Sequence, residues 1–440
     1  MCIRDSYYIE GNFGYNGSEN FAKGHRFGFF PSIAVGYNIS NEKFWQPIKP
    51  VISNLKIRGS WGLVGNDATN AGRFAYMEDL VLGGSDSYTT GIRQDTYYSG
   101  PSWNRYFNPD LTWEVGEKIN LGLDLQLFND FNLTFDIFRE KRRDIFMTRE
   151  NSIPEIVGTG ETKITSNNGE MENKGLDLAI DYNKQITKDF FLSFKSTLTF
   201  ARNKVLKMDE PPYFEYPGLS DVGHPLGTYW GYVADGLFPD QETIDNSPRQ
   251  DLGYTPQPGD IKYVNQPNAK GEYDNVINSN DRVAIGHPYD PELVYGFGPS
   301  MKWKNWDFSF FFQGVARTSF MMYGMHPFGT TSIKNMLQFV ADDHWSVDNP
   351  NPNAAYPRLT KDSNGNNDQY STYWLRNAAF LKLKNAEIGY TYKGMRFYLS
   401  GVNLLTFSPF KHWDPEMGGG NGLYYPTQRV FNIGFQMTIQ

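Results

Sequence analysis

The sequence predicts an all-β fold, in which an antiparallel sheet closes into a transmembrane β-barrel. Apolar and polar residues alternate with a period of two in many segments, as in strands with one apolar and one polar face. Aromatic residues make up 16% of the 440 residues and charged residues only 20%, with 43 glycines. Such a composition is typical of β proteins. Finally, short and long connections alternate between the predicted strands.

The segment Leu121–Phe138 shows the alternation most clearly, because every second residue is large and apolar while the others are mostly small or polar. A three-residue loop at Phe128–Asp130 keeps apolar residues opposite apolar residues, whereas a two-residue loop would mix the faces. The predicted apolar pairs are Leu127 with Phe131, Leu125 with Leu133, Leu123 with Phe135 and Leu121 with Ile137. The polar face would carry Asp124, Gln126, Asn132 and Asp136.

Three more hairpins follow from the same test of register. Two-residue turns at Lys304-Asn305 and Lys393-Gly394 suit the positive backbone angles of tight hairpins. These turns predict pairing of Trp303 with Trp306, Met301 with Phe308, Phe297 with Phe312, Tyr392 with Met395, Tyr390 with Phe397 and Ile388 with Leu399. A looser turn between Tyr182 and Phe190 would join a third pair of strands.

Further alternating segments at Tyr7–Tyr15, Arg26–Ile39, Ser53–Val64 and Gln428–Ile439 bring the count to about twelve strands. Long polar connections are predicted at 65–111, 139–173, 204–290, 317–376 and 406–427, with a shorter one at 16–25. Turns are predicted near 128–130, 183–189, 304–305 and 393–394, with a medium connection near 40–52. All long loops then lie at one end of the sheet. Soluble sandwiches and propellers rarely sort loops in this way, whereas outer-membrane barrels do.

Composition excludes several classes of protein. No window approaches the run of about 18 apolar residues that a transmembrane helix needs. The net charge of −8 argues against a nucleic-acid partner. Cys2 is the single cysteine, which excludes disulfide frameworks and cysteine-rich zinc sites. The first residues, Met1–Asn20, lack the basic start and apolar run of a signal peptide. We therefore expect either a cytosolic protein or, as the abrupt start favours, a fragment.

Motifs along nearly the whole chain resemble the C-terminal barrel of SusC/RagA-type TonB-dependent transporters. Each motif is weak alone, but their order is specific to that family. They are Asn108–Glu114, Asn120–Asp124, Asn173–Asp177, Gly223–Gly227, Tyr229–Tyr232, Pro258–Tyr263, Tyr295–Gly298, Asp307–Gly314, Asn349–Asn351, Tyr356–Leu359, Phe380–Asn385, Tyr398–Phe407, Asp414–Glu416 and Tyr425-Pro426.

The resemblance implies a barrel of about 22 strands, of which residues 1–440 would supply about the last twelve. It implies a location in the outer membrane of a Gram-negative bacterium, with membrane lipid around the barrel. It also implies active import of oligosaccharides, or sometimes peptides, driven by TonB–ExbB–ExbD under a SusD-like surface lipoprotein. The plug domain, TonB box and signal peptide are expected to lie outside this chain, which alone could not transport.

Two alternatives stay open at this point. A siderophore or cobalamin receptor would have the same architecture, although the SusC-type motifs argue against it. From another class, a secreted β-rich carbohydrate-binding or adhesive protein would also show alternating strands, but it would be soluble without detergent.

The sequence departs from the family at two places. The Pro258–Tyr263 motif usually continues into a loop that looks like a calcium site. Here the oxygen-bearing residues between Asp260 and Asp281 have lost the tight spacing that about six to eight ligands require. No metal and no cofactor are therefore expected. The chain also ends at Phe435–Gln440 without a terminal aromatic residue.

Catalytic motifs find little support in the sequence. The six histidines (25, 224, 287, 326, 344 and 412) are scattered without a paired metal-binding spacing, and no nucleophile-elbow motif occurs. The glycine-rich Gly418–Gly422 lacks the lysine and hydroxyl of a phosphate-binding loop and is interpreted as a flexible loop. Arg142-Arg143 is interpreted as a charge pair that faces solvent or lipopolysaccharide rather than as a ligand clamp. No enzymatic activity is expected.

Ligand binding is expected from aromatic residues in the long loops, because flat rings stack on sugar faces with little loss of entropy. The same residues could instead pack the loops together, contact the lipoprotein or form the interfacial girdle. The candidates are Trp103, Tyr229, Trp230, Trp345, Tyr356, Trp374, Trp413, Tyr424 and Tyr425.

Overall fold

The structure is a computed structural model, and it describes residues 2–3, 6–68, 72–83, 87–149, 151, 153, 156, 164–323, 337–360 and 364–437. Twelve long strands form one antiparallel sheet in which every strand pairs with its neighbours in sequence. They are β1 (Tyr7–Gly17), β2 (Phe27–Asn38), β3 (Ile52–Asn66), β4 (Glu114–Leu127), β5 (Phe131–Thr148), β6 (Thr165–Thr187), β7 (Phe190–Lys207), β8 (Leu293–Trp303), β9 (Trp306–Ala316), β10 (Phe380–Tyr392), β11 (Met395–Phe407) and β12 (Val430–Met437). A two-residue strand, Cys2–Ile3, pairs with the free edge of β1. The predicted all-β fold and strand number are confirmed.

The β4–β5 hairpin has the predicted register. Leu127 pairs with Phe131, Leu123 with Phe135 and Gln126 with Asn132. Phe128 and Asn129 in the connecting loop adopt positive φ angles of 52° and 61°. The odd-numbered loop therefore keeps each face of the hairpin uniform, as the alternation requires.

The two other tight hairpins are also confirmed. In β8–β9, Trp303 pairs with Trp306, and Lys304 has a φ of 54°. In β10–β11, Tyr392 pairs with Met395 across Lys393 and Gly394, whose φ angles are 46° and 79°. The β6–β7 turn is tighter than predicted, because Thr187 already pairs with Phe190.

One predicted connection was wrong in length. Residues 139–173 were expected to form a long loop, but β5 continues to Thr148 and β6 begins at Thr165. Charged side chains on neighbouring strands form ion pairs here, including Arg139 with Glu172 at 2.6 Å and Lys141 with Glu170 at 3.1 Å. Both faces are polar, so the apolar alternation ends before the backbone ladder does.

Ion pairs also cross strands on the polar face of the sheet. Arg58 on β3 contacts Asp124 at 3.2 Å and Asp136 at 2.6 Å. It passes over Gly122, where an added Cβ would lie 2.5 Å from its guanidinium carbon. The predicted polar positions Asp124 and Asp136 therefore share one arginine, and the opposite face leaves Leu121 51% exposed.

Short turns and long connections separate to opposite ends of the sheet. Residues 39–51 connect β2 and β3 at the turn end through 3₁₀ turns at Ile39–Asn41 and Lys43–Trp45. In the part of the chain that the structure describes, the other end carries two short helices, Gln241–Asp245 and Gln338–Asp342, and 3₁₀ turns at Pro217–Leu219, Ser279–Asp281 and Pro415–Met417. Its short strands pair as Asp79–Val81 with Ser102–Arg105, Ser87–Thr90 with Thr96–Ser99, Tyr229–Gly231 with Val283–Ile285, Ala234–Leu237 with Ile261–Tyr263, Arg249–Gln250 with Val276–Ile277 and Ser319–Met321 with Leu375–Asn377.

The largest buried core lies among these connections rather than in the sheet. Residues 208–292, 317–323, 337–360, 364–379 and 408–429, here called the loop layer, pack together around it. Its buried members include Tyr232, Ile261, Tyr263, Met322, Trp345 and Phe410. A smaller buried hydrophobic cluster packs around Phe30 of β2. Its members are Phe21, Phe30, Ala75, Leu111 and Trp113. None of the helices in the described ranges is long and apolar enough to cross a membrane.

Candidate functional site

The loop layer contains a cavity of 390 Å³ whose described lining comes from the connection between β9 and β10. This volume is near the lower end of the roughly 300–1,000 Å³ range of small-ligand sites. The lining combines aromatic rings with polar side chains, a mixture that such sites use for contact area and orientation. The lining residues that matter below are Tyr323, Tyr356, Arg358, Gln369, Tyr370 and Trp374.

A buried carboxylate supports the polar side of the cavity. Asp260 is fully buried, and its Oδ1 accepts hydrogen bonds from Arg358 Nε at 2.7 Å and from the side-chain amides of Asn364 and Asn367 at 3.0 and 2.8 Å. Its Oδ2 accepts from the backbone N–H of Gln257 at 2.8 Å. The carboxylate is thus paired with a cation and hydrogen-bonded, which a buried charge requires.

Arg358 is the cation of this pair and also lines the cavity. Burial lowers the pKa of Arg358, but hydrogen bonds and attraction from Asp260 and from the Tyr254 hydroxyl outweigh burial and raise it overall. The guanidinium is therefore fully charged, and its charge is directed toward Asp260 and Tyr254.

An asparagine-rich turn holds the same side of the cavity in place. Asn364 Oδ1 accepts from the backbone N–H groups of Asn366 and Asn367, as asparagine does in tight turns. Asn366 donates to the carbonyl of Ile261 at 2.8 Å and accepts from the Tyr263 hydroxyl at its own carbonyl at 2.7 Å. Burial raises the pKa of Tyr263, so this hydroxyl keeps its proton and stays a donor.

Two of the nine predicted aromatic residues line the cavity. The rings of Tyr356 and Trp374 lie 6.2 Å apart and are almost fully buried, so only a small part of each faces the open space. Trp374 donates from Nε1 to the carbonyl of Asn367 at 2.7 Å. These rings form a fixed wall. Their contact with a ligand stays a prediction.

Three other candidates lie near this wall. The ring of Tyr229 contacts the ring of Tyr370 edge-on, with centroids 6.5 Å apart. Tyr424 hydrogen-bonds Tyr323 and so raises the pKa of the Tyr323 hydroxyl. Trp413 packs edge-on against Phe410, with centroids 4.5 Å apart. Tyr356 and Trp374 thus line the cavity, Tyr229 and Tyr424 contact its lining residues Tyr370 and Tyr323, and Trp413 packs against the adjoining core.

The remaining four candidates do not join this site. Trp103 stacks on Tyr106 in a different connection, and Trp230 donates from Nε1 to Asp221 at 2.7 Å. Tyr425 is 80% exposed. Trp345 is buried over Gly259, where an added Cβ would lie 2.2 Å from its ring. Trp345 thus fills the core.

Sequence reasoning missed Tyr323, Arg358, Gln369 and Tyr370. Arg358 could have been selected from the sequence, because it lies within the Tyr356–Leu359 motif. The others are ordinary loop residues, and only the fold brings them to one cavity.

In the segment from Asp260 to Asp281, where no metal is expected, the carboxylates at both ends accept hydrogen bonds from protein donors. Asp281 accepts from the backbone N–H of Gln266 at 2.7 Å and of Asn278 at 2.8 Å, and burial raises its pKa. Asp260 is paired as described above. No three His, Cys, Asp or Glu side chains gather to hold a metal within the described ranges. Of the scattered histidines, His326 lies outside those ranges, as do residues 438 and 439 of the predicted last strand.

Two minor sequence interpretations can be compared with the structure. Arg142 is partly exposed and forms ion pairs with Glu114 at 3.2 Å and Glu140 at 2.7 Å, so it belongs to a surface charge network. In the glycine-rich Gly418–Gly422, the backbone N–H of Gly420 donates to the carbonyl of Met321 at 2.8 Å. That segment is anchored to the loop layer at this point.

Known proteins are similar to this chain over nearly its whole length. The family described as "TonB dependent receptor-like, beta-barrel" matches residues 4–404. The TonB-dependent receptor SusC of Bacteroides thetaiotaomicron is 29% identical over 450 residues, which cover 96% of this chain and 41% of that protein. The TonB-dependent receptor P3 of Formosa agariphila is 27% identical over 457 residues, covering 96% and 43%. The chain therefore spans less than half the length of these curated relatives.

Solved structures show the same fold. The RagAB peptide importer in its open-open state superposes with a TM-score of 0.76 at 21% identity, covering 99% of this chain and 45% of that one. Its closed-closed state gives a TM-score of 0.73 at 21% identity, covering 98% and 46%. The two curated relatives named above are both described as TonB-dependent receptors. The chain belongs to the TonB-dependent receptor-like β-barrel family of the Gram-negative outer membrane.

Proposed function

We propose that this chain is the C-terminal part of the barrel of a TonB-dependent transporter that imports oligosaccharides across the outer membrane. The observation that carries this proposal is the aromatic-lined cavity in the loop layer. It lies on the long-loop side of the sheet, where the family places the outside of the cell. A ligand held there would sit at the entrance of the barrel.

The aromatic content of the site favours a sugar. Tyrosine and tryptophan rings offer flat apolar faces for the C–H faces of a pyranose, and amides beside them orient hydroxyl groups. The rings of Tyr323 and Tyr370 are about half exposed and therefore accessible to such a ligand. The deeper Tyr356 and Trp374 hold the shape of the cavity.

The other components of the transport complex are proposed from the family. A SusD-like surface lipoprotein would cover the loop layer, and a plug domain would couple the barrel to TonB–ExbB–ExbD. The polar face of the sheet suits a lumen that contains a plug and water, because its charges are paired across strands, as Arg58 is with Asp124 and Asp136.

Growth of a deletion strain tests this proposal. We expect the strain to lose growth on one neutral oligosaccharide and to keep growth on the matching monosaccharide, on peptides and under iron limitation. The full-length gene restores growth, and the same gene without its TonB-coupling segment does not. A defect confined to peptides or to iron-limited medium would assign a peptide or siderophore receptor instead. Release of the full-length protein from membranes by carbonate without detergent would refute the barrel.

A further inference from the structure

The cavity in the loop layer has one cationic side chain among its described lining residues, Arg358, and that cation is already paired. Its Nε donates to Asp260 at 2.7 Å, and its Nη2 donates to the Tyr254 hydroxyl at 2.8 Å. Asp260 is fully buried, so water does not replace Arg358 as the partner of its carboxylate. An anionic ligand would thus have to enter without a free counter-charge from these residues.

We propose, building on the oligosaccharide-import function, that this cavity binds an uncharged glycosyl unit and rejects acidic sugars. Placing a carboxylate beside paired charges costs its hydration without a compensating ion pair. A neutral pyranose keeps its hydroxyl hydrogen bonds through side-chain amides and buries its C–H faces against rings. The described lining thus favours an uncharged ligand, because its cation is paired with Asp260 and its carboxylate, Asp368, accepts from the backbone N–H of Asn364 at 3.2 Å.

Tyr370 supplies the stacking surface. Tyr370 lines the cavity and is 47% exposed, while its backbone carbonyl accepts from the N–H of Tyr232 at 2.9 Å. The backbone is fixed by the loop layer, and the ring is supported edge-on by Tyr229. Removal of the ring therefore removes contact area without breaking the backbone bond that anchors the segment.

Gln369 supplies the polar contact next to that ring. Its Nε2 donates to the carbonyl of Gly365 at 2.7 Å, which fixes the orientation of the carboxamide at the cavity wall. A fixed carboxamide can accept from a sugar hydroxyl without paying much side-chain entropy. It also marks the position where a new positive charge would alter the selectivity of the cavity.

Binding to the full-length receptor in detergent tests the proposal. The probes are neutral gluco-, manno-, galacto- and xylo-oligosaccharides, with oligogalacturonate and a mixed peptide as charged comparators, each measured by calorimetry. We expect a neutral oligosaccharide to bind and the oligogalacturonate not to bind. Tyr370→Ala should weaken that binding roughly tenfold or more, equivalent to about 1.4 kcal/mol. Tyr273→Ala, which removes an exposed ring away from the cavity, should leave it unchanged.

A second pair of variants tests the charge argument. Gln369→Lys places an unpaired cation in the cavity. It should weaken binding of the neutral oligosaccharide and allow oligogalacturonate to bind. Gln266→Lys adds the same charge outside the cavity and should change neither. The proposal would be overturned if the wild type bound oligogalacturonate or the peptide most tightly. It would also be overturned if Tyr370→Ala and Gln369→Lys both left the affinity for the neutral oligosaccharide unchanged. In the latter case, growth on the oligosaccharide would still support the import function. Absence of both neutral-oligosaccharide binding and oligosaccharide-dependent growth would refute the import function itself.

Discussion

Arg358 Nε donates to Asp260 Oδ1 at 2.7 Å and joins two segments of the loop layer that lie 98 residues apart in sequence. A second bond runs between the same segments, from the backbone N–H of Arg358 to the carbonyl of Gly259 at 2.9 Å. The pair thus fixes the distance between the core of the loop layer and the wall of the cavity. The shape of the cavity depends on this contact.

Loss of one partner should open the loop layer. Arg358→Met leaves Asp260 buried without its cation, which costs roughly 3–5 kcal/mol in buried pairs. We expect faster hydrogen–deuterium exchange at Ile261 and Asn367, whose backbone groups belong to this cluster, while exchange in β4 and β5 stays unchanged. The double variant Asp260→Asn/Arg358→Met should lose less stability than the two single variants together. Strictly additive losses would show that the two residues do not act as a pair.

Lys382 on β10 should act as the anchor of the last long connection. Its side chain is fully buried, and its Nζ contacts Asp414 at 2.8 Å and Glu416 at 2.5 Å. Lys382→Met should release residues 414–427 and raise their exchange rates roughly tenfold or more, since about 1.4 kcal/mol is a factor of ten. Both carboxylates are partly exposed and can be rehydrated, so the barrel should stay folded.

The matched control for this prediction is Lys384→Met. Lys384 Nζ reaches Glu416 at 3.2 Å from a side chain that is 30% exposed. Exposed ion pairs contribute about 0–1 kcal/mol, so exchange in the connection should barely change. Equal effects of the two substitutions would rule out a special role for the buried lysine.

The registers of the hairpins were predictable because a strand has a side-chain period of two. In β4–β5, slipping by one residue would place Leu123 opposite a polar residue, so the pattern admits one solution. The extension of β5 to Thr148 was not predictable by that rule. There Arg139 and Lys141 pair with glutamates on β6, and polar residues on both faces give no period to detect.

The cavity was largely beyond sequence reasoning, because its parts meet only in the folded loop layer. Gln250, for example, hydrogen-bonds Asn366 from 116 residues away. Choosing aromatic residues by type found Tyr356 and Trp374, but it also selected Trp345, which packs on Gly259. Residue type shows which side chains could bind a sugar, whereas burial decides which of them are accessible.

The loop layer should become less stable below neutral pH because of His412. Its ring stacks on Phe339 with centroids 4.1 Å apart, and burial together with the positive charge of Arg376 lowers its pKa below 6.5. The unfolded segment therefore binds a proton more readily than the folded one. Stability is fully present above pH 6.5 and is lost as the pH falls through the lowered pKa.

Hydrogen exchange between pH 5 and pH 7.5, corrected for intrinsic rates, measures this effect. Protection of residues 408–413 should fall toward the acidic end in the wild type. His412→Gln cannot titrate, so its protection should be flat over the same range. A fall of equal size in the glutamine variant would trace the pH dependence to other groups.

The face assignment of the β4–β5 hairpin gives the last prediction. Leu123 pairs with Phe135 on the apolar face, and Gln126 pairs with Asn132 on the polar face of the same two strands. We expect the apolar face to contact lipid, where Leu123→Arg should cost roughly 2–4 kcal/mol near the middle of the bilayer. Gln126→Arg places the same charge three residues away, on the face toward the lumen. It should hardly change the free energy of unfolding. Urea titration of the full-length protein refolded into phospholipid vesicles compares the two free energies of unfolding, and equal losses would contradict the assignment.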